Sequence, residues 1–332
     1  MNPIFILTMG DPAGIGPQIA VNALCNSEKR PFHVVVAGDL EVLQKAAELG
    51  GFSPVFKIIK DIKDVKDDNS AVINVLDMGE ITTSQFTFGI PQAQCGKAAY
   101  RYIAEAISLV MDKKAAGVVT NPISKESLAL AGISYPGHTE IFADKTGCDD
   151  YSMVFLLDNV AVAHVTTHVS LRNAIELVKK ERVLKQIRLL NRSLKSLGID
   201  PPHIAVGGLN PHAGENGLFG DEEINEITPA IKQARSEGIN VSGPYPPDTI
   251  FNRAFKGEFN GIAAMLHDHG FVALKSRDFE HGVNITVGLP IIRTSVGHGT
   301  AFDKAWKKDS NVSAESLLYA MDTAYRMAVS QS

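Results

Sequence analysis

The chain has 332 residues, with 32 Lys and Arg against 37 Asp and Glu, a formal net charge of -5 and an isoelectric point near 6.1. That balance argues against nucleic acid as the main partner, because backbone phosphates call for a basic surface. With 45% hydrophobic and 21% charged residues, the composition suits a globular chain long enough for two α/β domains or lobes, and it lacks the run of about 18 apolar residues that a membrane span needs.

The elements alternate. Residues 1–10 carry neither a basic leader nor a small-residue cleavage site, so 4–8 reads as a first core strand and not as a signal peptide. A helix is predicted over 16–24, then a strand at 34–37, a helix at 40–49, a strand at 71–75, a helix at 94–111 and a strand at 117–119. Strands at 153–157 and 160–165, a helix at 181–196, a strand at 204–207, a helix at 225–237, a strand at 262–266 and a helix at 314–328 complete the pattern. Such alternation predicts an α/β fold with a largely parallel sheet. Turn-rich loops at 121–138 and 294–299 divide the chain into an expected first domain, 1–132 with 296–332, and a second, 133–295, which carries the metal and substrate residues. The cleft between two such domains is the natural ligand site. Cys25, Cys95 and Cys148 are odd in number and form no Cys-x-x-Cys pair. A disulfide scaffold or thiolate zinc site is therefore not expected, and a reducing, cytoplasmic compartment is.

Five constellations carry candidate chemistry. Gly10-Asp-Pro-Ala-Gly-Ile-Gly-Pro17 follows a strand and opens a helix. Ile19 spoils a dinucleotide fingerprint, and the Gly-Lys-Ser/Thr of a nucleotide loop is missing, so a structural strand–helix turn is the competing reading. Tyr135-Pro-Gly-His-Thr-Glu140 places His138 and Thr139 ahead of a helix, where free N–H groups attract anions; simple capping by Thr139 is the alternative.

The third constellation is the histidines. His168, His212 and His267 each stand where a strand gives way to a loop. Three neutral imidazoles with an open position make a catalytic divalent-metal shell. His164 lies inside its strand as a core candidate, and His269 faces away or bears on an outer layer. Asp248 and Asp268 are carboxylates able to fix a histidine tautomer, and Asp248 is also an acid/base candidate. Fourth, Lys275, Asn284 and Arg293 are polar residues among apolar ones, the donor types that hold a phosphate. Last, the loop His298-Gly-Thr-Ala-Phe-Asp303 can set backbone against an adenine and an acid against a ribose hydroxyl.

Taken together, these motifs resemble those of the 4-hydroxythreonine-4-phosphate dehydrogenases of vitamin B6 (pyridoxine) biosynthesis and their relatives acting on D-threonate or D-erythronate 4-phosphate. The resemblance runs almost end to end. It rests on Gly10–Pro17, Pro136-Gly-His-Thr-Glu140, Val165-Thr-Thr-His168, Asn210-Pro-His-Ala-Gly-Glu215, Met265-Leu-His-Asp268, Gly282-Val-Asn-Ile-Thr286 and Ile292-Arg-Thr-Ser295. It implies an isocitrate/isopropylmalate-dehydrogenase-like fold of two α/β/α domains and a homodimer with a shared active site. It also implies a divalent metal (zinc, or Mg, Co or Mn) on His168, His212 and His267. Substrate contacts carry over to His138 and Thr139, and phosphate and substrate contacts to Lys275, Asn284 and Arg293. Asp248 and Lys275 stand as catalytic candidates. The cofactor is NAD or NADP, with His298, Gly299, Thr300 and Asp303 similar to the adenine-side loop of isopropylmalate dehydrogenases.

Two departures from the family pattern stand out. Gln18 replaces a common Glu, a change expected to alter only the helix start. Gly297 replaces a common Asp, which leaves NAD against NADP open. The stretch from Glu215 to Glu223 is closer to the threonate/erythronate branch. The expected reaction is oxidation, with decarboxylation, of a small phosphorylated hydroxy acid. The rivals are a dehydrogenase of an aromatic cis-dihydrodiol carboxylate, a metal-dependent hydrolase and a non-catalytic ligand-binding protein.

Overall fold

A computed structural model describes residues 2–26, 30–65, 72–278, 280–308 and 312–331. The chain opens with β1 (Ile4–Thr8), α1 (Gly16–Cys25), β2 (His33–Gly38), α2 (Leu40–Gly50), β3 (Val55–Ile58), β4 (Val72–Asp77), α3 (Ala93–Met111), β5 (Gly117–Thr120), α4 (Lys125–Leu130) and α5 (His138–Thr146). It continues through β6 (Ser152–Leu157), β7 (Val160–His164), α6 (Leu171–Leu177), α7 (Lys180–Ser196), β8 (Ile204–Gly207), α8 (Thr228–Ser236), β9 (Val241–Tyr245), α9 (Ile250–Phe255), β10 (Gly261–Ala264), α10 (His267–Arg277) and β11 (Val283–Val287). It closes with β12 (Ile292–Val296) and α11 (Glu315–Ser330).

Two compact units result. One joins Met1–Asp149 with Leu289–Val329, and the other joins Asp150–Gly288 with Ser330–Ser332. In the first unit the strand order is β3-β4-β2-β1-β5-β12, and every pairing is parallel. Parallel strands are covered on both faces, which is why β1 is a near-continuous apolar run with Phe5, Ile6 and Leu7 fully buried. In the second unit the order is β11-β6-β7-β10-β8-β9. The hairpin partners β6 and β7 are antiparallel, as are β6 and β11; β7, β10, β8 and β9 run parallel. Phe155, Val162, Ile250, Phe251, Ile262, Phe271 and Leu274 form its core, each contributing about 1.5–3 kcal/mol by burial.

The α/β class is as expected, but the boundaries differ from those expected at 132/133 and 295/296. The division falls after Asp149 and after Gly288. The reason is local. β12 pairs with β5, aligning Arg293 with Val118, and α5 packs on α3. His138, Thr139 and Arg293 therefore belong to the first unit. The predicted strand at 71–75 begins one residue outside the described residues, at Ala71, and is seen as β4.

Strands β3, β9, β11 and β12 were not anticipated. β3 is a short edge strand with Val55 and Ile58 exposed, and β9 carries a Gly-Pro pair, tolerated at an edge. Polar residues interrupt the apolar runs of β11 and β12. The helix expected over 225–237 is split: a π-helical turn at Glu223–Ile227 leads into α8, where Pro229 takes the first turn. Cys25, Cys95 and Cys148 form no disulfide among the described residues, and no helix among the described residues is long and apolar enough to cross a membrane.

Candidate active site

In the first unit, the glycine-rich turn after β1 is a backbone hub. The Gly16 Cα approaches the Met9 carbonyl so closely that a Cβ there would sit 2.3 Å from that oxygen. Ile15 N–H donates to the Thr300 carbonyl at 3.0 Å, which ties the turn to the loop 298–303. Trp306 adds two bonds, its backbone N–H to Gln18 Oε1 at 2.6 Å and its indole N–H to the Pro12 carbonyl at 3.0 Å. Gln18 thus does more than start a helix; it anchors the far loop. Within that loop His298 Nδ1 lies 3.1 Å from the Gly299 carbonyl, while Asp303 is exposed. Gly297 N–H donates to Ser316 Oγ at 2.8 Å.

Asp11 is fully buried in this turn. Its Oδ1 accepts from Ala13 N–H at 3.0 Å, and burial pushes its pKa up to about 6. Cys95, also buried, is pushed up to about 12 by burial and then by the Asp11 charge, so its thiol is inert as a nucleophile.

The ends of β5 and β12 hold a buried polar cluster. Arg293 is 3% exposed. Its Nη2 donates to Thr120 Oγ1 at 2.8 Å, and its guanidinium lies 5.4 Å from the Phe142 ring centre. Burial pulls its pKa down to about 9, with the Glu140 charge opposing. His138 opens α5 behind Gly137, and no side chain caps that terminus. Burial and the Arg293 charge hold the imidazole well below its ordinary pKa, with a hydrogen bond to the Asn121 backbone opposing. The ring is therefore neutral. His138 Nε2 and Asn121 Oδ1 are buried without a hydrogen-bond partner among the described residues. Buried polar atoms are nearly always satisfied, so two orphan acceptors beside a buried guanidinium and an open helix N-terminus suit a ligand that carries both hydroxyl donors and an anionic group. Thr120, Asn121 and Phe142 were missed as parts of this cluster. Only the position of Thr120 and Asn121, immediately after a strand, could have signalled them.

In the second unit, β7 and β10 run parallel and deliver three histidines. His164, at the end of β7, is buried; its ring stacks on Phe271 at 4.5 Å. Its pKa is lowered to about 3 by burial and the neighbouring histidines. The stack depends on Gly270, where a Cβ would lie 2.1 Å from His164 Nε2. His168 and His267 come together with ring centres 5.8 Å apart. Both line a recess of about 330 Å³ with Thr166, Leu171, Leu266 and Asp268. Asp268 Oδ1 lies 2.8 Å from His267 Nδ1, a contact able to fix the imidazole tautomer and leave Nε2 as the outward nitrogen. Burial lowers the His269 pKa.

His212 is not gathered with that pair. Among the described residues no three His, Cys, Asp or Glu side chains assemble a metal cage, so the expected triad is incomplete within one chain. His212 instead faces Phe219, with ring centres 6.2 Å apart. It opens a run of left-handed residues: His212, Ala213, Glu215 and Asn216 have φ between 43° and 55°. Each such non-glycine residue costs roughly 1–2 kcal/mol, so the loop is held against its own preference. The donor chemistry suits a divalent cation: two paired imidazoles, one with a carboxylate on its Nδ1, and a third on a separate loop. Elsewhere in this unit, Asp248 is exposed on the turn before α9, Lys275 is exposed on α10 with its ammonium 5.4 Å from the Phe271 ring centre, and Asn284 is half-buried on β11.

Comparison with known proteins decides the family. The sequence pattern of the pyridoxal phosphate biosynthetic protein PdxA matches residues 30–324. The chain belongs to this family. The PdxA-family chain is 42% identical over 328 residues to the D-threonate 4-phosphate dehydrogenase of Pectobacterium atrosepticum, covering 99% of this chain and 100% of that one. It is 45% identical over 325 residues to the 4-hydroxythreonine-4-phosphate dehydrogenase of Beijerinckia indica, covering 97% and 94%. Among solved structures, the 4-hydroxythreonine-4-phosphate dehydrogenase of Klebsiella pneumoniae shares 41% identity and superimposes with a TM-score of 0.89, covering 98% of this chain and 99% of that one. This PdxA-family protein is thus a dehydrogenase with the two-unit α/β fold expected of it.

Proposed function

We propose that the chain oxidises a secondary alcohol in a four-carbon acid bearing a terminal phosphate, with NAD or NADP as acceptor. D-threonate 4-phosphate is the first choice of substrate. The observation that supports this most is the His168–His267 pair beside its recess, with Asp268 on the outer nitrogen of His267. A divalent ion on His168, His212 and His267 would lower the pKa of the substrate hydroxyl and stabilise the developing alkoxide. Asp248 takes the hydroxyl proton; NAD or NADP, held by His298, Gly299, Thr300 and Asp303, would supply the acceptor for the C3 hydride. The resulting 3-oxo acid breaks its C1–C2 bond, releases CO2 and regains a proton at C2, giving dihydroxyacetone phosphate. His138 and Thr139 contact substrate; Lys275, Asn284 and Arg293 take the phosphate and so orient the reacting carbon. His298, Gly299, Thr300 and Asp303 serve the cofactor's adenosine.

A second copy of the chain completes the metal set. Support comes from apolar side chains left exposed beside the separated ligands: Val169 and Leu171 next to His168, and Leu218, Phe219 and Ile224 beyond His212, with Leu171 at 65% and Leu218 at 72%. Single exposed apolar residues are ordinary, but such clusters mark an interface. Three cysteines without a disulfide among the described residues suit the cytoplasm.

The test is NAD(P) reduction with D-threonate, D-erythronate and 4-hydroxythreonine 4-phosphates, each with zinc, magnesium, manganese or cobalt. The highest kcat/KM is expected with D-threonate 4-phosphate. Absence of turnover with all three acids would sink the proposal. Sedimentation should report a dimer.

A further inference from the structure

Glu223 stands at the start of the π-helical turn Glu223–Ile227 and is only 3% exposed. Its carboxylate points at the segment that leads into His212. Oε1 accepts from Leu209 N–H at 2.7 Å and from Asn210 N–H at 2.8 Å. Oε2 accepts from Asn210 Nδ2 at 2.9 Å. The same Asn210 amide donates to Glu222 Oε2 at 2.7 Å, and the Asn210 carbonyl accepts from Ala213 N–H at 3.1 Å. The chain wraps closely around the acid: a Cβ on Gly214 would lie 2.7 Å from Oε2, and one on Gly208 would lie 3.0 Å from Oε1.

A buried carboxylate needs hydrogen-bond donors, and a left-handed loop needs an external hold. Here each meets the other's need. The π-helical turn supplies the fit, since the wider turn sets Glu223 on the loop while Ile227 stays fully buried below it. Such turns recur at functional sites.

We infer that Glu223 is a positioning residue for His212: it fixes the left-handed loop 210–217 and thereby the direction in which the imidazole is presented. The inference rests on the proposed ligand role of His212. It adds a group that touches neither metal nor substrate and acts through the loop.

The experiment uses the full-length chain and zinc itself. Zinc affinity is measured by competition with a chromophoric chelator, and amide exchange is followed by mass spectrometry over 209–217. The absorption spectrum of the cobalt(II)-substituted protein is recorded as well. Glu223→Ala should weaken zinc binding by about 10–100-fold, raise exchange across the loop and shift the cobalt bands, while amides of β7 and β10 keep wild-type exchange. Glu223→Gln retains one acceptor oxygen and should recover part of each loss; it also serves if the alanine variant fails to fold. Unchanged loop exchange in both variants overturns the inference, as does raised exchange with wild-type zinc affinity and cobalt spectrum. His212→Ala separates the two layers. If it keeps wild-type zinc affinity, the ligand reading is overturned, and with it the inferred effect of Glu223 on metal. If it loses zinc while Glu223→Ala does not, only the inference falls.

Discussion

In the first unit, the inner polar groups of the candidate site are sealed in and held by side-chain and backbone hydrogen bonds alike. Arg293 is locked to Thr120, His138 is kept neutral by burial, and the glycine-rich turn is pinned to the 298–306 loop through Thr300 and Trp306. In the second unit the candidate ligands stand at the surface. His168 is exposed, His267 half-buried and His212 on a loop of unfavourable conformation. The contrast separates two ways of building a site. A sealed cradle takes its shape when the chain folds. A set of outward-facing ligands is finished by what binds to it.

Substitutions can break or sharpen that contrast. The largest effect is expected for His267→Ala, which should abolish stoichiometric zinc and lower kcat/KM on the order of 10³-fold with little change in Tm; a large fall in Tm would mean that the second unit is as internally locked as the first. Next, Gly16→Ala forces a Cβ into the Met9 carbonyl and should destabilise the chain by about 3 kcal/mol, measured by urea unfolding.

Asp11→Asn addresses the cost of the sealed cradle. The folded carboxyl titrates near 6, against 3.8 when unperturbed, so the native state holds the proton more tightly. Stability from this group is present below the lower value and lost as pH rises through the higher. The variant should therefore gain up to about 3 kcal/mol over wild type at pH near 8 and little near pH 4; equal gains at both would reject the account. The smallest effect is for Arg293→Lys, which keeps the charge but loses the planar fork. KM for a phosphorylated substrate should rise about ten-fold, about 1.4 kcal/mol, and a matching rise for a non-phosphorylated analogue would remove the phosphate role.

Much of the fold was legible because buried parallel strands are written as apolar runs: 4–8 and 204–207 match β1 and β8 to the residue. β11 and β12 escaped because Asn284, Thr286, Arg293 and Thr294 interrupt the pattern, and two of those interruptions, Asn284 and Arg293, are candidate site residues. α10 escaped because its apolar residues form no single stripe and it begins on the candidate ligand His267. The histidines could be picked out by their place at strand ends. Their grouping could not, since it depends on where the loop 211–217 turns, and a run of left-handed residues leaves little trace in side-chain type. Glu223 was hidden for a similar reason: its partners are mostly backbone N–H groups, which no sequence pattern displays.

Trp306 is the sole tryptophan of the chain. Its indole is hydrogen-bonded to Pro12 and lies 4.4 Å from the Phe88 ring centre. The molecule therefore carries a native fluorophore wired to one turn. Its emission reports on the packing around that turn, so the proposed cofactor role of the loop 298–303 can be tested by titrating a dinucleotide and reading light without a label.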